Sequence, residues 1–196
     1  MHAHPELDLF GASAHTERIV ARSSDRIAWI RARSQGVTAT DAAKLCTPTS
    51  VRNVAFEKRS PRSFGGNAFT EHGNAREPFI ARWVEDHFSI TPSDALFHAD
   101  GGPRFLATPD GVNHDGTLLA EIKTTSKQLD SIPRNYLRQI WWQQYVLGAE
   151  RTLFVWEQHR DFVPVGRPQH RWVERDENEI HKLIGFAEQL LERIDR

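Results

Sequence analysis

The chain has 196 residues, 25 Lys and Arg against 26 Asp and Glu, and a formal net charge of -1. That length suits one domain able to bury a core unaided, and the single Cys46 excludes a disulfide framework, a zinc finger and a four-cysteine iron–sulfur cluster. No apolar run approaches the roughly 20 residues of a membrane span and no signal peptide leads the chain, so a soluble, cytoplasmic protein is expected.

Residues 1–15 (MHAHPELDLFGASAH) lack clean periodicity and read as an arm, reaching to residue 20 at most. Ser24 is placed to cap a helix from Asp25 to Arg33, with Ile27, Ile30 and Arg31 on neighbouring turns, and Gly36 ends it. A short helix follows through Leu45, capped by Thr38 or Thr40. Residues 47–66 (TPTSVRNVAFEKRSPRSFGG) read as turn-rich, basic and flexible. The spacing then predicts a helix over 67–88. Its buried stripe is Phe79, Ile80, Trp83, Val84, His87 and Phe88, and Pro78 starts or bends it. Strands are expected at 95–99, 104–108 and 118–125, the last after the hairpin signal Asp115-Gly116. A Gln- and Trp-rich helix over 133–147 stops at Gly148. Strands at 152–158 and 171–173 lead to a last helix over 176–193 that buries Ile180, Leu183, Ile184, Ala187, Leu190 and Leu191. No repeat or long linker divides the chain, so a single domain over 1–196 is expected.

Charge is uneven along this order. Lys44, Arg52, Lys58, Arg59 and Arg62 stand against one acid, Glu57, and Lys123, Lys127, Arg134 and Arg138 form a second basic set. A neutral total can hide a positive face, although ordinary solvated surface accounts for the same pattern. Most of the six tryptophans, Trp83 and Trp156 above all, read as core rather than as platforms for bases. The ten histidines show no ligand spacing, so no structural zinc is expected, while His2 and His4 suit only adventitious metal.

The densest chemistry lies in FLATPDGVNHDGTLLAEIKTT, residues 105–125. Asp110 is expected at a turn. Glu121 and Lys123, two apart on a strand, point to the same side. Two acids beside an amine can hold a hard divalent cation and act on a water next to it. Asp110, Glu121 and the Ile122 carbonyl would form part of a Mg²⁺ shell. Glu77 would join directly, through water or at a second ion, and Lys123 would orient or deprotonate the water. Taken alone, the same residues also make an ordinary ion pair.

Wider context narrows the choice. His72-Gly73-Asn74-Ala75-Arg76-Glu77-Pro78 resembles the G-x-x-x-E-P helix of the PD-(D/E)XK nuclease superfamily, and more narrowly the λ-exonuclease-like (YqaJ-type) viral recombinase family. Arg33-x-x-Gly36-Val37-Thr38-Ala39-Thr40-Asp41 resembles that family's N-terminal segment, Thr108-Pro109-Asp110-Gly111 its [ST]-P-D-G turn, and Tyr136-Leu137-Arg138-Gln139 its tyrosine-to-glutamine helix. Four segments in the right order span about Trp29 to Trp156. The resemblance implies an α/β, restriction-endonuclease-like fold: a mixed central sheet of about five strands with helices on both sides. It implies Asp110, Glu121, Lys123, Glu77 and Gln139 as the catalytic set, with Mg²⁺ as cofactor and Mn²⁺ as substitute. It assigns Arg33 and Thr40 to a 5′-terminal phosphate, Thr40 standing where serine is commoner, and Tyr136 and Arg138 to DNA. Trp141 stands where the family often has a second glutamine; Gln143, one turn beyond Gln139, offers a polar stripe instead.

The activity so implied is 5′→3′ digestion of linear double-stranded DNA, leaving 3′ single strands for recombination. A single-strand annealing protein is the implied partner, and a homo-oligomer, a trimer ring, the implied assembly. An endonuclease of the same superfamily, in repair or defence, and a non-catalytic DNA-binding subunit with this fold stay open.

Overall fold

A computed structural model of the chain describes residues 15–60 and 67–196. Most of residues 1–20, read as an arm, and the end of the basic tract, 61–66, lie outside the described residues. From His15 onward the chain is tied in. A 3₁₀ turn, Thr16–Arg18, leads into strand β1, Ile19–Arg22, which pairs with a later strand. Arg18 donates to the carbonyls of His98, Val146 and Leu147, so residues 15–20 are anchored and do not belong to an arm.

Helix α1, Arg26–Gln35, is capped by Asp25, whose Oδ1 accepts from the Ala28 N–H at 3.1 Å; Ser24 does not cap it. The α1 face carrying Ile27 and Ile30 is exposed. Gly36 leads into β2, Val37–Thr38, in close contact with its neighbours: an added Cβ would lie 2.5 Å from Leu106 and 2.6 Å from the Arg104 carbonyl. Helix α2 is only Ala39–Ala42, and Thr38, not Thr40, caps it in a reciprocal box with Asp41.

Helix α3, Pro48–Arg59, lies in the tract read as flexible. Its start is encoded: Thr47 and Ser50 form a capping box, Pro48 fills the first turn, and Val51, Val54 and Ala55 bury one face. Helix α4, Ala68–Phe88, continues on both sides of Pro78, so this proline neither starts nor ends it. The buried arc of α4 is narrower than the spacing suggested. Ile80, Ala81 and Val84 are buried and Trp83 and Phe88 partly so, while Phe79 and His87 are exposed because only one side meets a sheet.

Then follow β3, Thr91–Pro92; β4, Ala95–Ala99; β5, Gly102–Ala107; β6, Gly111–Val112; β7, Leu118–Thr125; helix α5, Arg134–Leu147; β8, Arg151–Arg160; β9, Val163–Pro164; β10, Gln169–Glu174; and helix α6, Glu177–Ile194. The fold is α/β as expected, with one mixed sheet of five strands on its main path, and a further sheet of four strands that the sequence did not announce. The first sheet, of four strands, has the order β1-β4-β5-β2, the second β10-β8-β7-β6-β3 with β9 beside β8. Strands β7 and β8 are parallel, joined through α5, as are β2 and β5.

Helix α4 covers one face of the second sheet through Ile80, Val84, Ile90, Ile122, Leu153 and Val155. The larger core lies on the other side and joins α2, α3, α5 and α6 to both sheets. Trp142 and Trp156 are buried in it, and the Trp142 indole donates to the Leu106 carbonyl at 3.0 Å. Between β5 and β6 the chain passes from the first sheet to the second, and residues 108–110 are that crossing. Gly111 lets β6 enter: an added Cβ would lie 2.9 Å from Ile90 and 3.1 Å from Ala120.

Candidate active site

Strand alternation decides which side chains meet. On β7, Glu121 and Lys123 face α5, while Ala120 and Ile122 face α4. Glu121 is 1% exposed, so its carboxylate needs partners. Gln139 Nε2 donates to Oε1 at 2.5 Å and Gln143 Nε2 to Oε2 at 2.7 Å. Lys123 Nζ pairs with Oε1 and lies 5.5 Å from the Tyr136 ring centre. Gln139 and Gln143 are one helical turn apart on α5, which is why both reach one carboxylate.

Asp110 sits on the sheet crossing. Its N–H donates to the Ala120 carbonyl at 3.1 Å, and its Oδ2 accepts from the Ile122 N–H at 2.6 Å. The N–H and C=O of a strand residue point to the same edge, so the Ile122 carbonyl opens toward Asp110 as well. Burial pushes the Asp110 carboxyl well above the usual carboxylate range. The charge of Glu121 adds to this and that of Glu77 adds further, against Lys123 and the Ile122 N–H. Glu77 stands at the groove rim on α4. It is exposed on its outer side, yet partial desolvation raises its pKa, with Glu121 adding and Lys123 opposing. Lys123 is a donor here. Burial disfavours its charge, but Glu121 and Asp110 outweigh burial and hold the ammonium firmly protonated.

Among the described residues, no three His, Cys, Asp or Glu side chains converge as a ready metal shell. The donors that do meet, two carboxylates and a carbonyl, are all hard oxygen, and burial together with the neighbouring Glu121 and Glu77 charges raises the Asp110 pKa. That chemistry fits Mg²⁺, which takes few protein ligands and keeps waters.

The remaining sequence candidates divide. Tyr136 lines the site beside Lys123, its ring 5.8 Å from that of Phe154. Arg138 points elsewhere: its Nε donates to the Ala43 carbonyl at 2.9 Å, and it lines a cleft of about 210 Å³ with Leu45, Arg134, Glu179 and Lys182. Arg33 lies over the Trp29 ring at 4.2 Å, and Thr40 is exposed on α2, which packs against α5. Neither side chain has a hydrogen-bond partner among the described residues. Sequence reasoning left Gln143 off the candidate set, although its spacing from Gln139 signals that it reaches the same carboxylate.

Among the described residues no helix is long and apolar enough to cross a membrane. The fold is that of solved exonucleases. An alkaline exonuclease from Laribacter hongkongensis (LHK-Exo) superposes with a TM-score of 0.69 at 24% identity, over 85% of this chain and 91% of that one. Its complex with dAMP gives 0.66 at 22%, with the same coverage. A phage-related exonuclease from Haemophilus somnus gives 0.60 at 13%, over 91% and 90%. Among curated proteins no relative matches the chain. The family profile described as the YqaJ-like viral recombinase domain matches residues 28–150, more than half the chain. The chain belongs to the YqaJ-like viral recombinase domain family.

Proposed function

We propose that the chain, working as one nuclease domain, is a Mg²⁺-dependent deoxyribonuclease that digests linear double-stranded DNA from its 5′ ends. The observation that carries this reading is the buried Glu121 carboxylate, ringed by Lys123, Gln139 and Gln143, with a second carboxyl, Asp110, held above the usual range by burial and by the Glu121 charge. Family membership and the likeness to solved exonucleases support it.

Asp110, Glu121 and the Ile122 carbonyl would hold the cation, with Glu77 at the rim. Bound there, the ion would polarise a phosphoryl oxygen and lower the pKa of a neighbouring water. The chain's own groups do the rest. Lys123, as ammonium, orients the water and counters charge building on the phosphate oxygens. Gln139 and Gln143 fix the Glu121 carboxylate in one orientation, and Tyr136 walls the Lys123 side. Arg33 and Thr40 receive the terminal phosphate. Mn²⁺ substitutes for Mg²⁺, DNA ends are the substrate, and a single-strand annealing protein and a ring of like subunits are the partners the family suggests. A cytoplasmic site of action follows from DNA as substrate.

The test is digestion of end-labelled linear duplex with Mg²⁺ and with EDTA, beside a covalently closed circle. Release from 5′-labelled ends, blocked by EDTA, is the expected result. Nicking of the circle replaces the exonuclease by an endonuclease, and Mg²⁺-independent release removes the metal from the reading.

A further inference from the structure

Helix α3 brings Lys58 to the junction of α1 and α2. Its side chain is only 11% exposed. Its Nζ donates to the Arg33 carbonyl at 2.9 Å and pairs with Asp41 Oδ2 at 2.9 Å. That same carboxylate oxygen accepts from the Thr38 N–H at 2.8 Å and the Thr38 hydroxyl at 2.7 Å. One ammonium therefore ties the last turn of α1 to the cap of α2.

The groups on either side of this tie are donors in want of acceptors. The Arg33 guanidinium stacks on Trp29, whose indole Nε1 is buried with no partner. Across the tie is the exposed Thr40 hydroxyl. A guanidinium without a hydrogen-bond partner, stacked on an indole whose buried N–H also has none, calls for an anion. The competing acceptor is Asp41, whose charge already acts on Arg33. Were Asp41 not neutralised by Lys58, the guanidinium would turn onto it and be lost to a ligand.

We infer that Lys58 is the positioning residue for recognition of a phosphorylated DNA end. It occupies Asp41 and fixes the Arg33 backbone, so that the guanidinium stays free for a terminal phosphate monoester, with Thr40 on the neighbouring helix. The inference rests on the nuclease reading above, and it concerns a residue that neither the resemblance nor the sequence pattern assigned.

The experiment compares the full-length protein with its Lys58→Met and Lys58→Arg variants on two linear duplexes that differ only in a 5′-phosphate or 5′-hydroxyl end. The quantity read is the ratio of kcat/KM for the two ends. Wild type favours the phosphate. Lys58→Met lowers that ratio about tenfold or more, mainly through KM on the phosphorylated end, as expected for a lost charged contact. Lys58→Arg, which keeps the charge and the donors, restores most of it. Thermal melts of the variants report folding, and if Lys58→Met melts early, Lys58→Arg at wild-type Tm carries the comparison against Arg33→Lys. A Lys58→Met ratio equal to wild type overturns the inference, as does equal slowing on both ends without rescue by arginine. Wild-type digestion indifferent to the end also overturns it and leaves the nuclease reading standing, whereas a chain that cuts no DNA overturns both.

Discussion

Two buried glutamates stand on adjacent strands of one sheet and face opposite sides. Glu157 on β8 points toward α4, where Arg76 meets it with two parallel bonds, Nε and Nη2 each at 2.8 Å. Glu121 on β7 points toward α5 and meets two amides and one lysine, with Asp110 close by. Both are nearly inaccessible, at 2% and 1% exposed. Arg76 neutralises its partner one for one. Lys123 is shared between two acids, and Glu77 adds a third. The first arrangement is closed and serves the fold; the second holds negative charge that the chain does not balance, as a site for an external cation does.

The contrast breaks most sharply at Lys123. Lys123→Ala removes the ammonium on which the proposed chemistry depends, and DNA cleavage with Mg²⁺ is expected to fall at least ~10³-fold. Retention of more than a tenth of the wild-type rate takes Lys123 out of the reaction. On the other face, Arg76→Ala leaves Glu157 buried and unpaired, at a cost of about 3 kcal/mol. For a chain of this size that lowers Tm by roughly 6–12 °C. A melt within 2 °C of wild type, on the same order-of-magnitude scale, would show that Glu157 finds solvent or another donor.

The smallest effect has the opposite sign. The raised pKa of Asp110 means the folded chain keeps a proton that the unfolded chain releases near pH ~4. That contribution to stability is complete below the unfolded value and is lost as pH rises through the folded one. In metal-free buffer at pH 8, Asp110→Asn should therefore melt above wild type, by about 2–4 °C for a gain of ~1 kcal/mol. The gap should close toward pH 4, while cleavage is lost. A variant that melts below wild type at pH 8 would show the carboxylate to be no burden.

Much of this was legible in the sequence because it is periodic or punctuated. Strand 118–125 and the stops at Gly148 and Gly36 follow from local signals, as do the Thr38 cap and the Gln139–Gln143 spacing. Helix α3 was misread because Pro48, Ser50 and Ser60 are turn-formers by composition, whereas Thr47-Pro48 with Ser50 marks a helix start by position. Residues adjacent on a helix point about 100° apart, which is why Gln139 reaches Glu121 while Arg138 turns to the Ala43 carbonyl. Lys58 was out of reach for another reason. Its partners lie 17 and 25 residues away, and only tertiary packing sets them beside it. The separate four-stranded sheet was hidden too, since β6 is only two residues long and the TPDG segment read as a turn after the strand at 104–108.

The crossing between the two sheets has a consequence for how the protein can vary. Asp110 is held to β7 from both its N–H and its carboxylate, so its place is set by that strand and not by the residues before it. Length can therefore change before Asp110 more readily than between Asp110 and Gly111, where an added residue would separate the carboxylate from the strand pairing that positions it.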